Sequence, residues 1–319
     1  MKENATALNG AGGGTCGEVG ACAGTCDEAG AGTGDRSGDG LVVRELHGLE
    51  ECRDLHRLFQ DIWHFEQDLS PLSVELILAL AHSGNYVAGA YQGSRLVGAS
   101  VAFLAAPPGQ ALHSHITGVR GGRGIGLALK LHQRTWALGH GLTRISWTFD
   151  PLVRRNAYFN LVKLGATLAS YHQDFYGPLP DSRNGTDDSD RAVVHWQLDT
   201  PATPEHHAES TLPALPVLTM ADDGHPLPLP SRPTAGARFV RIDLPPDIEG
   251  LRRTDPAAAT AWRLAVRDAL GGLLAAGARV TGFHGRSGYV LDRRPLTDRR
   301  PLTPGTSARP GHTLESPNR

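Results

Sequence analysis

The sequence predicts a mixed α/β fold, with one larger domain and a small piece appended behind it. Three observations carry that expectation. Apolar runs of strand length alternate with stretches whose apolar residues recur at helical spacing. Their order is two helices, an antiparallel meander, a glycine-rich turn into a helix, then strand, helix and strand. After a Pro-rich interruption, a strand, a helix and a hairpin follow. A chain of 319 residues is long enough for one large domain or two ordinary ones.

Residues 1–40 hold Gly, Ala, Thr and acidic residues with hardly an apolar side chain. Such a segment buries too little surface to offset its ordering entropy, so disorder is expected. Leu41–Val43 opens a strand. Leu49 to Trp63 is an amphipathic helix carrying Leu55, Leu58, Phe59 and Ile62 on one face, and Ser73 to His82 is a second helix. Tyr86–Tyr91 and Arg95–Phe103 flank Gln92-Gly93-Ser94, a hairpin signal. Leu112–Val119 is the third strand of the meander.

Gly121 to Gly126 then leads into a helix with apolar residues on two lines, Leu127, Leu131, Leu138 and Ile125, Ala128, Leu129, Trp136, which implies burial over much of its surface. Arg144–Phe149 is a strand, Arg154–Leu164 a helix and Val193–Leu198 the closing strand of a domain spanning 41–198. Residues 199–235 are rich in Pro, Thr, Ser and His and read as a linker. Phe239–Leu244, the helical stripe from Ala258 to Leu274, and the strands Arg279–Phe283 and Gly288–Leu291 make a piece at 236–294. That core is small and is expected to dock on the larger domain. The tail 295–319 reads as unstructured.

Composition narrows the functional classes. A formal net charge of −2 gives no reason to expect a nucleic-acid or membrane partner. No apolar run is long enough for a bilayer and the N-terminus lacks a signal-peptide core, so a cytoplasmic protein is expected. Cys16, Cys22, Cys26 and Cys52 form no Cys-x-x-Cys pair, and no metal is expected.

The glycine-rich turn carries the chemistry. At a helix N-terminus it presents unpaired backbone N–H groups and the positive end of the helix dipole, and glycine lets a phosphate approach closely. Alone it is weak evidence, because such a turn more often simply makes a tight entry into a packed helix. It is no Walker loop, since no Gly-Lys-Ser/Thr follows, and the meander before it lacks the βαβ context of a dinucleotide fingerprint.

The wider pattern resembles the GNAT acyltransferase superfamily at two segments, Arg120-Gly121-Gly122-Arg123-Gly124-Ile125-Gly126 and Arg155-Asn156-Ala157-Tyr158-Phe159-Asn160-Leu161-Val162-Lys163-Leu164-Gly165-Ala166. It is similar to a bacterial branch with His113-Ser114-His115 before the loop, Trp147 to Leu152 after the next strand and Phe175-Tyr176-Gly177 further on. The resemblance implies a mixed, mostly antiparallel sheet flanked by helices. It also implies acyl-CoA, with acetyl-CoA foremost, as co-substrate. Its pyrophosphate would lie on Arg123, Gly124, Ile125 and Gly126, with Val119, Arg120, Gly121 and Gly122 completing the cofactor-binding segment, and Asn156 would face the pantetheine or the acyl carbonyl. The acceptor would be the amine of a small molecule or peptide; the oligomeric state stays open.

This sequence departs from the family pattern in three ways. Gly121 stands where Gln or Arg usually opens the loop, with Arg120 one residue early. The loop is about three residues shorter than the usual form. Leu161 occupies the place of the general-acid Tyr, and Tyr158, about one turn earlier, is the nearest replacement as the acid.

Candidate bases are His113 and His115, two apart on one strand and so on one face; the alternative is a pair of ordinary hydrogen-bonded histidines. Asp150 either orients an amine or water, or serves as the turn residue of Asp-Pro. Asn156 has a plain reading as a helix-start residue. Arg154 and Arg155 either meet coenzyme A phosphates or form a solvated face. Arg263 and Arg267 read as surface charges in preference to contacts for an acidic substrate. Two other functions fit the same fold, a non-catalytic acyl-CoA binding module and an acyl-CoA hydrolase or decarboxylase.

Overall fold

In a computed structural model the protein is described over residues 40–64, 70–177, 187–199, 213–229 and 237–293. The N-terminal segment with Cys16, Cys22 and Cys26, and the tail 295–319, lie outside these residues.

Strand β1 (Leu41–Glu45) precedes α1 (Leu49–Trp63) and α2 (Val74–His82). Glu51 closes the first turn of α1 by accepting from the backbone N–H of Gly48 and of His47, each at 3.0 Å. Ser73 caps α2 by accepting from the Leu76 N–H at 3.2 Å. Then come β2 (Val87–Gln92), β3 (Arg95–Ala105), β4 (Ala111–Val119), α3 (Ile125–Gly139) and β5 (Arg144–Phe149). A short α4 (Arg154–Tyr158) runs into a π-helical turn (Phe159–Lys163), followed by β6 (Thr167–His172) and β7 (Arg191–Gln197). These seven strands form one sheet in the order β1-β2-β3-β4-β5-β7-β6. All neighbours are antiparallel except β4 and β5. Strand β6, for which the sequence offers no clear run, carries an irregularity between Leu168 and Ser170 that breaks its alternation.

The two faces of this sheet are covered separately. On one, α1 and α2 bury Leu55, Phe59, Ile62, Trp63 and Ile77 against Val87, Ala99, Val101 and Ile116. On the other, α3 and α4 cover Tyr86, Ala88, Ala102, Leu112 and Trp147. Helix α3 buries a single face, through Ile125, Gly126, Leu129, Lys130, Gln133, Trp136 and Ala137. Leu127, Leu131 and Leu138 are exposed, which corrects the expected burial over much of its surface: only one side of the helix meets the sheet.

A second sheet follows, ordered β11-β12-β10-β8-β9. It contains β10 (Phe239–Asp243), β11 (Arg279–His284) and β12 (Gly288–Asp292). It also contains β8 (Leu215–Met220) and β9 (Pro226–Pro228), inside the stretch read as linker. That reading is corrected because β8 pairs in parallel with β10, a long-range contact that satisfies its backbone despite Pro216. Two helices precede β11. Helix α5 (Ile248–Thr254) is capped by Asp247, and α6 (Pro256–Val266) by Asp255. The latter continues through a π-helical segment (Arg267–Gly271) into α7 (Gly272–Ala275).

Both sheets share one apolar core, in which Trp147, Phe149 and Leu161 join Trp262, Phe283, Tyr289 and Leu291. Tyr289 donates its hydroxyl to the Pro151 carbonyl at 2.8 Å. Among the described residues no helix is long and apolar enough to cross a membrane.

Candidate active site

Strands β4 and β5 run parallel and pair only at Ala111↔Arg144, Leu112↔Ile145 and His113↔Ser146. Beyond those pairs β5 is held by β7 and β4 by β3, so the two strands diverge into a wedge that opens toward their C-terminal ends. The loop Arg120–Gly124 and the start of α3 stand at the mouth of that wedge.

In the loop, Gly121, Gly122 and Gly124 adopt φ of +64°, +80° and +84°. These left-handed values disfavour any residue with a Cβ. Gly124 caps α3, and Ala128 is the first residue to donate back to it. The N–H groups of Ile125, Gly126 and Leu127 thus head the helix without intrahelical acceptors. The Ile125 and Val119 side chains bury together with Val97 and Leu129, seating the helix start on the sheet. Gly98 on β3 makes this possible, since a Cβ there would stand 2.9 Å from Ile125 Cγ2. Arg120 ion-pairs with Asp61 of α1, and Arg123 is exposed.

His113 and His115 share the α1–α2 face beyond those helices. Phe103, two residues on from the buried Val101, lies 5.1 Å from the His113 ring and 5.7 Å from the His115 ring; the two imidazoles are 6.2 Å apart. The register of β3 against β4 jumps between Val101↔Ile116 and Ala102↔Ser114, leaving His115 as the extra residue of a β-bulge. Burial, then the neighbouring His115 and Lys130, push the His113 pKa down to about 4. Burial lowers that of His115 as well. Each imidazole is therefore neutral near pH 7.

The structure does not bring the other candidates to this face. Tyr158 packs against the second sheet, with its ring 6.4 Å from Phe283 and 4.9 Å from the Arg286 guanidinium. Leu161 is buried in the core at the π turn. Asn156 is fully buried in the first turn of α4. Asp150 is not placed to orient an amine or water. Its oxygens accept from Arg263 at 2.9 and 2.8 Å, from Arg252 at 2.6 Å and from the Leu152 N–H at 2.9 Å. Burial alone would raise its pKa, but the charges of Arg263 and Arg252 hold it ionised far below the usual carboxylate range.

The arginine readings are corrected for the same reason, that the second sheet and its helices dock here. Arg263 is 1% exposed, and Arg267 pairs with Asp188 at 2.6 Å and Asp190 at 2.7 Å. Arg154 donates to the Leu244 carbonyl and Arg155 pairs with Glu249 at 2.7 Å, so neither is a solvated face.

Sequence reasoning missed a buried polar chain beneath α3. Lys130 Nζ donates to Ser114 Oγ at 2.8 Å and to Gln133 Oε1 at 3.2 Å. Gln133 Nε2 donates to Ser100 Oγ at 3.3 Å, and Ser100 shares a 2.8 Å hydrogen bond with Thr117. The available signal was Gln133 on the Ile125–Leu129–Ala137 line, a polar residue at i+4 spacing on an apolar stripe.

No protein-family model matches the sequence, and no curated protein matches it. The fold is similar to solved acetyltransferases. One is the aminoglycoside 6'-N-acetyltransferase from Enterococcus faecium, at 15% identity and a TM-score of 0.40, over 50% of this chain and 98% of that one. A GNAT-family acetyltransferase from Streptococcus pneumoniae is similar at 14% identity and a TM-score of 0.40, over 50% and 99%. A third is an acetyltransferase from Salmonella typhimurium solved with its cofactor acetyl-CoA, at 14% identity and a TM-score of 0.40, over 51% and 97%.

Proposed function

We propose that this chain is a GNAT-type acyltransferase that moves an acyl group, acetyl in the simplest case, from acyl-CoA to an amine. The observation that carries the reading is the parting of β4 and β5 after three residue pairs, with a left-handed glycine loop and a helix N-terminus at the open end. The pyrophosphate would sit on the N–H groups that head α3, where backbone donors and the helix dipole both favour an anion. The pantetheine arm would run down the wedge toward the bulge at His115. There the amine nitrogen attacks the thioester carbon, a C–N bond forms and the C–S bond breaks. The amine proton passes to a neutral histidine, His115 or His113, and the thiolate leaves with coenzyme A.

A buried Leu161 supplies no acid for that thiolate, which is the observation favouring a second reading, a binding module without turnover. Calorimetry with coenzyme A and thiol release from acetyl-CoA across a panel of amines test both. Gly124→Ala is the informative variant, because its Cβ would meet no atom of the described residues within 4 Å. It is expected to weaken coenzyme A binding by about tenfold or more, part of it through loop strain. Unchanged affinity in the folded variant removes the phosphate site. Binding with no thiol release under any amine selects the module.

A further inference from the structure

Register decides which side chains line the wedge on the histidine face. His113 and Ser146 are the last pair of β4 and β5, and their side chains point to one side. Two residues further along each strand, His115 stands on the β4 arm and Thr148 on the β5 arm, where the strands have parted. Strand alternation keeps Thr148 with Ser146 and turns the intervening Trp147 to the α3 side, where its ring lies 4.0 Å from Lys130 Nζ. The Thr148 hydroxyl shares a 3.0 Å hydrogen bond with the phenol of Tyr176. Tyr176 belongs to Phe175-Tyr176-Gly177, a run for which the acyl-transfer reading above has no use.

The course of that ring is fixed from its far end. The Tyr176 N–H donates to Ser189 Oγ at 2.9 Å, two residues before β7 begins. Its ring centroid lies 5.5 Å from the guanidinium carbon of Arg191, the first residue of β7, and Phe175 packs edge-on against it at 4.7 Å. In the sheet β5 lies between β7 and β4. The ring therefore runs from the β7 side to Thr148 on β5, and its hydroxyl points toward the gap that β4 and β5 leave. Either oxygen can donate in the bond between them. With Thr148 as the donor, the phenol proton is left to a third group.

We infer that Tyr176 is the catalytic acid of the proposed transfer, protonating the coenzyme A sulfur from the β5 arm while a histidine on the β4 arm takes the amine proton. The inference rests on the acyl-CoA reading above and supplies the group that Leu161 does not. As the C–N bond forms, the C–S electron pair passes to sulfur, which takes the phenol proton and leaves as the thiol. The Thr148 O–H holds the resulting phenolate, which regains its proton from the imidazolium through water.

Coenzyme A and desulfo-coenzyme A, with hydrogen in place of the thiol, test the contact by calorimetry without any acceptor. Wild-type protein is expected to bind coenzyme A about three- to tenfold more tightly. Tyr176→Phe keeps the ring and should reduce that preference to within about twofold, with the desulfo compound bound as in the wild type. Equal binding of the two by the wild type overturns the proposal without needing any variant to fold. An undiminished preference in folded Tyr176→Phe also overturns it. With an amine that is turned over, Tyr176→Phe should lower kcat by about 10²-fold or more and leave KM for acetyl-CoA within about twofold. Tyr158→Phe should keep wild-type kcat, since that ring packs on the second sheet. Full kcat in Tyr176→Phe overturns the assignment, and binding without thiol release under any amine removes the acid role together with turnover. If coenzyme A fails to bind the wild type at all, the acyl-CoA reading falls and this inference with it.

Discussion

His113 and His115 show how burial sets a proton affinity without any acidic partner. Both rings sit against Phe103, and desolvation is the leading cause disfavouring the imidazolium of each, joined at His113 by the neighbouring His115 and Lys130. An unfolded histidine titrates near 6.5 and folded His113 near 4, so between those values the unfolded chain binds the extra proton. The stabilisation is complete above pH 6.5 and is lost as pH falls toward 4, a trend that urea titrations at several pH values would follow. The lowered proton affinity of both histidines carries to turnover: with either as the base, the acid limb of kcat/KM should centre below the ordinary histidine value of 6.5. His115→Ala should cut kcat by about 10²–10⁴ with little change in coenzyme A affinity. An acid limb centred at 6.5, or full turnover in both His113→Ala and His115→Ala, would place the base elsewhere.

At the scale of elements, the site depends on how closely α3 approaches the meander. Val97 and Val119 receive Ile125 and Leu129, and Gly98 leaves the room for them. A Cβ at Gly98 would lie 2.9 Å from Ile125, 3.1 Å from Val119 and 3.2 Å from Leu129. Gly98→Val therefore has to lift the N-terminal end of the helix. It is expected to cost about 1–3 kcal/mol in denaturant unfolding. The same lift should weaken coenzyme A binding, because the helix start carries the proposed donors. A destabilised variant that kept wild-type affinity would separate the packing of α3 from ligand binding.

Across the whole molecule, the second sheet completes the first. Asp150, at the end of β5, meets Arg263 from α6 and Arg252 from α5, and Arg252 also bonds Asp187 at 3.2 Å. Tyr171 donates to Asp190 at 2.5 Å, and Arg267 joins the same carboxylate. These charges are paired within a low-dielectric seam, and removing one partner leaves another buried and uncompensated. Arg263→Ala should cost about 3–5 kcal/mol, read as a lower urea midpoint. Wild-type stability in that variant would mean that the seam is hydrated and that the two sheets are held by the apolar core alone.

Local pattern by itself determined most of the elements. Helical spacing marked α1, α2, α3 and α6, a hairpin signal marked β2 and β3, and the glycines ahead of Ile125 marked a turn able to receive a phosphate, because each depends on neighbours within a few residues. The two histidines on one face of β4 were equally legible, since strand geometry alternates side chains. Tertiary structure alone decided what those residues meet. The bulge at His115 exists only in register with β3, and β8 is a strand only because β10 lies beside it. Asp150 is a seam residue because Arg263, 113 positions away, folds onto it. Helical phase could turn Lys130 inward, but its hydrogen bond to Ser114 required β4 to lie beneath α3. Long-range pairing leaves little trace in a local pattern, since the free energy that selects it is gained only when distant segments exclude water together.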